Sequence, residues 1–301
     1  MQLRQLEYFL AICESGSFSG AATRLYVTQP SLSQQIRILE KELGSALLER
    51  GRHGVTLTPA GRAFLPQAQR VVRAAQDAKD AVRQVTEGRR GDVHVLTVRS
   101  VASGVLPPSA ARWHSLFPTT VLRLHDFSHR RDLEEAARSG QGDLAVGPRP
   151  AAWEGPAVSL GYEQMVVVGP NEHKSGATAE PAELASADWV LYEPEQGMSE
   201  VVDWVTAGLG FVPRAVARTG QVSAALQFAI EGIGMAVAPE NAVPSAWSKH
   251  ARRIGSGYFR ELVAFSRKQT SQLAEEYRDM LSSAELPLVA GRDLPPGATC
   301  C

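Results

Sequence analysis

Near the start of the chain, apolar residues stand at Leu6, Phe9, Leu10 and Cys13, the three- and four-residue spacing of one helix face. That spacing reads Cys13 as a small core residue rather than a reactive thiol. Ser17 is a cap residue for a short second helix with Ala21, Ala22 and Leu25 on its inner face, closed by Tyr26-Val27. Thr28 can cap a third helix, and Pro30 suits its first turn, where a missing N–H costs nothing. At about 100° per residue, Leu32, Ile36, Leu39 and Leu43 make the buried stripe of that helix. Pro30, Gln34, Arg37 and Lys41 fall nearly opposite, flanked by Ser31 and Ser33. Gly44 ends the helix as the residue past its last turn. The unit is helix, short turn, helix. Its second helix turns amides, hydroxyls and cations outward, the donor and acceptor set that reads base edges in a major groove. A solvated helix face would carry the same residues.

The next stretch, LLERGRHGVTLTPAG, reads as two short strands around Gly51–Gly54 with Arg50, Arg52 and His53 in their connection. Two arginines in such a β wing would lie along a phosphate backbone. Thr58 and Pro59 then open another helix. From Pro59 to about Glu87 the only glycine is Gly61. Apolar residues recur at Phe64, Ala68, Val71, Ala75, Ala78, Val82 and Val85, a heptad seam held for three repeats. The seam fits a pair of helices; a lone amphipathic helix on its own domain would show it too. Pro66 interrupts the interior. Glu87-Gly88-Arg89-Arg90-Gly91 ends the helix and reads as a hinge.

Beyond residue 91 strands and helices alternate, which predicts an α/β architecture. Strands are expected at 93–98, 120–125, 143–147, 164–168, 188–191, 214–218, 234–238 and 261–265. Helices are expected at 104–117, 130–139, 199–208, 222–232 and 270–283. In such sheets ligands sit at strand C-terminal ends, where helix N-termini offer N–H groups. Those ends are Arg99, Ser100 and Ser103; Asp126, Phe127 and Ser128; Gly147, Pro148 and Arg149; Tyr192, Glu193 and Gln196; and Gln221, Val222 and Ser223. Taken singly, each is also an ordinary loop residue. The tail RDLPPGATCC reads as disordered.

The charge balance adds a division of labour. The chain has 301 residues, enough for about two domains, and its net charge of −1 hides an asymmetry. Residues 1–90 carry 13 Lys+Arg against 8 Asp+Glu, and residues 91–301 carry 18 against 24. A basic first third suggests contact with a polyanion. The three cysteines, Cys13, Cys300 and Cys301, rule out a disulfide framework, a structural zinc site and a thiol switch within 91–299. No apolar run reaches the roughly 18 residues of a membrane span, and the N-terminus lacks the apolar stretch of a secretory signal. A cytoplasmic protein that avoids membranes is expected. There is no Gly-x-Ser-x-Gly elbow and no Walker loop. His125 and His129 straddle a strand end, which makes a metal site improbable. No catalytic residue, metal or cofactor is expected.

Residues 1–66 resemble the winged helix-turn-helix of LysR-type transcriptional regulators. The resemblance rests on Leu6 and Phe9, then SGSFSGAATRLYVTQPSLSQQIRILEKELG, then LLERGRHGVTLTPAG. Leu48 stands where the family often has Phe, a conservative departure. The rest resembles the family's sensor more loosely, in Ser103–Pro107, Gly140–Gly147 and GIGMAVAP. The resemblance implies double-stranded DNA contact through Gln29, Pro30, Ser31, Ser33, Gln34 and Arg37, with Arg50, Arg52 and His53 in the wing. It implies an α+β multidomain chain: a winged helix-turn-helix at 1–58 and a linker and dimerisation helix at 59–88. A two-subdomain α/β sensor like periplasmic binding proteins follows, with subdomain I at 89–162 plus 266–301 and subdomain II at 163–265. It further implies a dimer, tetramers built from dimers, a near-palindromic operator and a small-molecule effector in the sensor cleft. RNA polymerase is a further candidate partner. Effector contacts are then expected among Arg99, Ser100, Ser103, Asp126, Phe127, Ser128, Gly147, Arg149, Tyr192, Gln196, Val222 and Ser223. Arg99 stands where the family often has Gly. Its guanidinium could hold an anionic effector bidentately, or form an internal pair with Asp126 or Glu193. Two other classes remain. A solute-binding protein sits poorly with the basic N-terminus and missing secretion signal, and an enzyme sits poorly with the missing motifs.

Overall fold

The computed structural model describes residues 1–51, 54–87, 91–174 and 176–300; the side chains of residues 50, 51, 77 and 80–87 are not described. The chain forms two compact units, one built on Met1–Arg90 and the other on Gly91–Ala137 with Gly142–Cys301.

The first unit follows its sequence pattern closely. Helices α1 (Leu3–Ser15), α2 (Phe18–Arg24) and α3 (Gln29–Leu43) precede a hairpin of β1 (Leu48–Gly51) and β2 (Gly54–Leu57), and α4 spans Pro59–Glu87. The expected caps are in place. Ser17 Oγ accepts the Gly20 N–H at 3.0 Å, and Thr28 Oγ1 accepts the Ser31 N–H at 3.4 Å. Gly44 ends α3 with φ +69°, the left-handed conformation glycine adopts without strain. Thr58 Oγ1 accepts the Gly61 N–H at 2.9 Å and donates to the Ala46 carbonyl at 2.7 Å. Gly61 has no room for a side chain, because a Cβ there would lie 2.0 Å from the Leu47 carbonyl oxygen. Leu6, Phe9, Ile12, Ala21, Ala22, Leu32, Ile36 and Leu39 close the core. Cys13 packs partly buried against it, and its thiol pKa is pushed up to about 11, first by burial and then by the Glu14 charge.

Two expectations fail on α3 and one is divided on α4. Leu43, expected in the buried stripe, is exposed at the last turn. Ser33, expected at the outer face, is buried beside the core. It follows Leu32 by about 100° and lies only about 60° from Ile36, so it borders the apolar stripe. The seam on α4 is divided between core and surface. Phe64 meets Phe9 edge-on at 5.4 Å and Ala68 is buried in the same core, whereas Val71 is exposed. Val82 and Val85 lie outside the described side chains.

The second unit contains β3 (Gly91–Val98), α5 (Arg99–Gly104), α6 (Leu106–Leu116), β4 (Thr120–Phe127), α7 (Arg130–Ser139), β5 (Leu144–Pro148) and β6 (Ala157–Val168). These are followed by β7 (Thr178–Ala179), α8 (Pro181–Ser186), β8 (Asp188–Tyr192), α9 (Gly197–Leu209), β9 (Arg214–Thr219), α10 (Val222–Ile230) and β10 (Ala236–Pro239). Then come β11 (Ala251–Phe265), α11 (Gln272–Ser283) and β12 (Thr299–Cys300). The main sheet has the order β10-β6-β11-β5-β3-β4, with β7 and β12 also paired to β11, and β8 and β9 form a separate parallel pair.

Two apolar cores share this unit. One gathers Val95, Val101, Trp113, Leu133, Val146, Phe265 and Tyr277, with α11 packed into it. The other gathers Val167, Trp189, Val190, Val202, Leu226 and Val237. Antiparallel strands β6 and β11 carry the chain between them: Leu262–Phe265 belong to the first core, and Met165–Val168 to the second. Both strands are far longer than the expected 164–168 and 261–265. Their extra halves hold glycines and charges that hide a strand pattern. The tail expected to be disordered is ordered as far as Cys300: Gly291–Asp293 form a 3₁₀ turn, and β12 pairs with β11. Main-chain pairing with an open strand edge supplies the order that composition does not.

Candidate nucleic-acid interface and effector cavity

The first candidate site is the outer face of α3. Its N-terminal half presents Gln29, Pro30, Ser31, Gln34 and Arg37, all exposed. Arg37 Nη2 donates to Ser33 Oγ at 3.4 Å. Ser33 therefore supports Arg37 from below, instead of facing outward as expected. Among the described residues, neither Arg37 nor Lys41 has a carboxylate partner within 4.0 Å. Just before α3 stands Tyr26, 96% exposed and held at φ +54°, an unusual conformation for a bulky residue. The sequence marked Tyr26 only as the end of α2. Glu40, on the inner side, accepts the Leu47 and Leu48 N–H groups at 2.8 and 3.2 Å and so ties α3 to the start of the wing. Strands β1 and β2 pair from Leu48↔Leu57 to Gly51↔Gly54, as the pattern predicts. Arg52, His53 and the Arg50 side chain lie outside the described residues.

The second candidate site is a cavity of about 280 Å³ between the two cores of the second unit. Of the residues expected there, Arg99, Ser100, Ser128, Arg149, Tyr192, Gln196 and Val222 line it. Ser103, Asp126, Phe127, Gly147 and Ser223 do not. Ser103 Oγ turns back onto the Arg99 and Ser100 carbonyls at 3.2 and 3.4 Å. Asp126 stands behind Arg99. Phe127 stacks on His125 at 4.8 Å. Gly147 belongs to β5, where a Cβ would meet Leu133 of α7 at 2.6 Å. Ser223 is exposed on α10. The sequence missed Arg130, Met198, Glu200, Val201, Trp204 and Arg260. Arg130 opens the correctly placed α7. Met198, Val201 and Trp204 stand three residues apart in a stripe on α9, a signal that was readable. Arg260 had none.

The polar half of the cavity is rich in arginine, and each guanidinium is already engaged. Arg99 Nε donates to Asp126 at 3.1 Å, and its Nη1 donates to Gln196 at 3.3 Å. The internal pairing left open for Arg99 is thus made with Asp126. Arg149 holds Glu261 with two nitrogens, and Arg130 faces Glu134 at 3.5 Å. Arg260, 7% exposed, pairs with the fully buried Glu163 and donates to Ser100 Oγ at 3.2 Å. Among the described residues Glu200 is the one carboxylate on the lining, and it meets His129 Nε2 at 3.1 Å. Arg149 and the Ser159 hydroxyl hold the Glu261 carboxyl below the usual glutamate range. The other half of the cavity is apolar, with Val98, Pro148, Met198, Val201, Trp204 and Val222. Tyr192 contributes its ring only: its hydroxyl donates to the Val237 carbonyl at 2.8 Å, and burial pushes its pKa upward. Helices α5, α7, α9 and α10 all begin at the cavity wall. Across it, the Gly197 N–H donates to the Ser128 carbonyl at 2.8 Å.

Comparison with known proteins matches two family descriptions along the chain. Residues 3–62 match the family described as "Bacterial regulatory helix-turn-helix protein, lysR family", and residues 86–285 match "LysR substrate binding domain". The transcriptional regulator TfdS of Cupriavidus pinatubonensis is 32% identical over 245 residues, covering 79% of this chain and 82% of that one. ShiR of Corynebacterium glutamicum is 32% identical over 278 residues, covering 85% and 92%. The crystal structure of CbnR, a LysR family transcriptional regulator, matches with a TM-score of 0.72 at 23% identity, covering 94% of this chain and 99% of that one. Full-length CbnR complexed with its target DNA matches with a TM-score of 0.69 at 24% identity and the same coverage. At such identities the solved structures speak to the fold alone. The relatives are regulators rather than enzymes. The chain belongs to the LysR family of ligand-responsive, DNA-binding transcriptional regulators.

Proposed function

We propose that α3 lies in the major groove of a near-palindromic operator, with Gln29, Pro30, Ser31, Gln34 and Arg37 against base edges and the adjoining backbone. Arg50, Arg52 and His53 follow the phosphates from the wing, and Ser33 acts from below by holding Arg37. Gln pairs bidentately with adenine and Arg with guanine. The observation that carries this reading is the outward row of Gln34, Arg37 and Lys41, whose cations have no internal carboxylate among the described residues. The effector is a small anion with an apolar body. Four arginines face one carboxylate on the lining, four helix N-termini add partial positive charge, and an apolar wall faces them. The volume is at the small end for ligand pockets. Arg99 is the residue that exchanges its partner. Its pair with Asp126 is half exposed on both sides, so it is weak enough to yield to a ligand carboxylate. The Arg260–Glu163 pair is buried and stays.

The protein acts as a dimer through α4 and as a tetramer of two dimers. Val71 on α4, and Val121, Leu124, Val212 and Phe228 on the second unit, are exposed apolar side chains that self-association would cover. The working division is 1–58, 59–88, 89–162 with 266–301, and 163–265. Effector binding shifts the oligomer between two arrangements by its different affinity for each, with RNA polymerase the downstream partner. The protein works in the cytoplasm; among the described residues no helix is long and apolar enough to cross a membrane.

Two measurements test this. Binding to a labelled fragment from upstream of the protein's own gene, in a salt series, should be tight and steeply salt-dependent, and weakened in Gln34→Ala and Arg37→Ala. Weak binding, equal on random DNA and indifferent to both substitutions, would refute the DNA reading. Calorimetric titration with benzoate, inorganic phosphate and neutral benzamide should show binding of an anion that Arg99→Ala weakens. Preference for the amide, or indifference to Arg99→Ala, would refute the anionic effector.

A further inference from the structure

The two strands that join the sensor's cores each have a gap along the outer edge. On β6, strand β10 covers Met165–Val168. On β11, β7 covers Arg253 and Ile254, and β5 covers Leu262–Phe265. One segment, residues 286–300, fills both gaps. Val289 and Tyr162 exchange their N–H and carbonyl groups, both bonds at 2.8 Å, on the edge of β6. Thr299 and Cys300 pair with Tyr258 and Phe259 on the edge of β11. A segment that touches the outer edges of both members of a two-stranded ribbon must cross one of its faces. Gly291 does so close to the Tyr162 ring, where a Cβ would come within 3.3 Å, and the Gly297 carbonyl accepts the Ser256 hydroxyl at 2.7 Å. Leu286 and Leu288 anchor the start of the segment on the first core. Pro295 and Pro296 restrict the crossing chain and lower the entropy cost of ordering it.

The ribbon is irregular where the segment crosses it. Its register slips between Arg253 and Tyr258, and Gly255 and Gly257 there have φ of +54° and +109°. The same stretch carries a cavity wall. The Tyr258 ring meets Trp204 edge-on at 4.9 Å, and Trp204 and Arg260 line the cavity. Three contacts across the cavity involve no residue of 286–300: Gly197 N–H to the Ser128 carbonyl, Arg99 to Gln196, and His129 to Glu200.

We propose that residues 286–300 form a belt around the hinge ribbon, and that docking of this belt holds the effector cleft in its closed arrangement. The belt restrains bending of β6 against β11, so belt docking and cleft closure favour one another by the same factor. This rests on reading the cavity as the effector site. The test needs no effector, so it stands or falls separately from that reading.

Amide hydrogen exchange of the ligand-free full chain, resolved to single residues by fragmentation mass spectrometry, reports closure at the Gly197 N–H, which the belt does not touch. A chain ending after Pro287 should exchange that amide about tenfold faster, as expected for loss of a few hydrogen bonds' worth of restraint. The amides of β3, in the first core, should keep their protection. Val289→Pro, which deletes one donor and shortens nothing, should give a smaller increase of about threefold. Gly197 exchange at the wild-type rate in both variants would overturn the proposal. If the shortened chain also loses protection in β3, Val289→Pro alone decides: a raised Gly197 rate supports the belt, and an unchanged rate overturns it.

Discussion

The cations on the outer face of α3 and the cations around the sensor cavity have opposite surroundings. Arg37 and Lys41 have no carboxylate partner among the described residues. Arg99, Arg130, Arg149 and Arg260 each face one: Asp126, Glu134, Glu261 and Glu163. Solvent explains the difference only at Arg260, which is 7% exposed; Arg99, Arg130 and Arg149 are exposed like Arg37 and differ from it in having a carboxylate in reach. An exposed guanidinium is well hydrated and can wait for a phosphate backbone to supply its counter-charge. Buried in the cavity wall, the Arg260 guanidinium needs a neutralising partner before any ligand arrives. In the proposed reading, DNA binding adds contacts to cations that have no carboxylate partner among the described residues, whereas an anionic effector exchanges for a carboxylate already in place. Affinity at the first site should follow salt, and affinity at the second should follow how easily an internal pair opens.

The largest effect that sharpens this contrast is expected at the buried pair. Glu163→Gln leaves the Arg260 guanidinium buried without its counter-charge. It should lower sensor stability by about 3 kcal/mol in urea unfolding. An unchanged midpoint would mean that the buried Arg260 needs no internal partner. Next comes Arg37→Ala, which should weaken operator binding by about 1–3 kcal/mol and leave the unfolding midpoint within about 0.5 kcal/mol. A fall in stability would show that Arg37 serves the fold. Arg99→Ala should cost less than about 1 kcal/mol of stability, because its pair is half exposed. It should also weaken binding of the benzoate or phosphate probe about tenfold, read by calorimetry.

The smallest effect is a pH dependence. Arg149 and Ser159 depress the Glu261 pKa, and Arg252 depresses that of Glu183. A depressed folded-state pKa gives stability that is present above the unfolded value of about 4.3. That stability is lost as pH falls through the folded value. Acid unfolding of the sensor should therefore steepen below about pH 4. Glu261→Gln should flatten that slope without changing operator affinity at neutral pH. A slope that is the same in wild type and variant would remove Glu261 from the account.

What could be read without coordinates was local. The caps Ser17, Thr28 and Thr58, the stop at Gly44 and helix 130–139 depend on neighbours within a turn, and each was found in place. Seven of the twelve expected cleft residues line the cavity, because strand C-terminal ends follow from strand placement. Ser33 was misplaced because two criteria for a helix face, distance from the polar row and distance from the apolar stripe, disagree at its angle. Arg260 was missed because a charge in a strand looks solvent-facing. Only its register partner Glu163, 97 residues away in sequence, makes its burial tolerable.

The sequence by itself determined the helix-turn-helix, the wing hairpin, the long α4 and the α/β alternation of the remainder. Periodicity, capping and turn residues act over a few positions, and their signals are written consecutively. The tertiary structure decided which charges are neutralised, where β6 and β11 run through both cores, and why a Pro- and Gly-rich tail becomes ordered. Those outcomes depend on strand edges and counter-charges supplied from distant parts of the chain. Whether a buried arginine or an unpatterned tail is stable is set by the partner that folding brings to it.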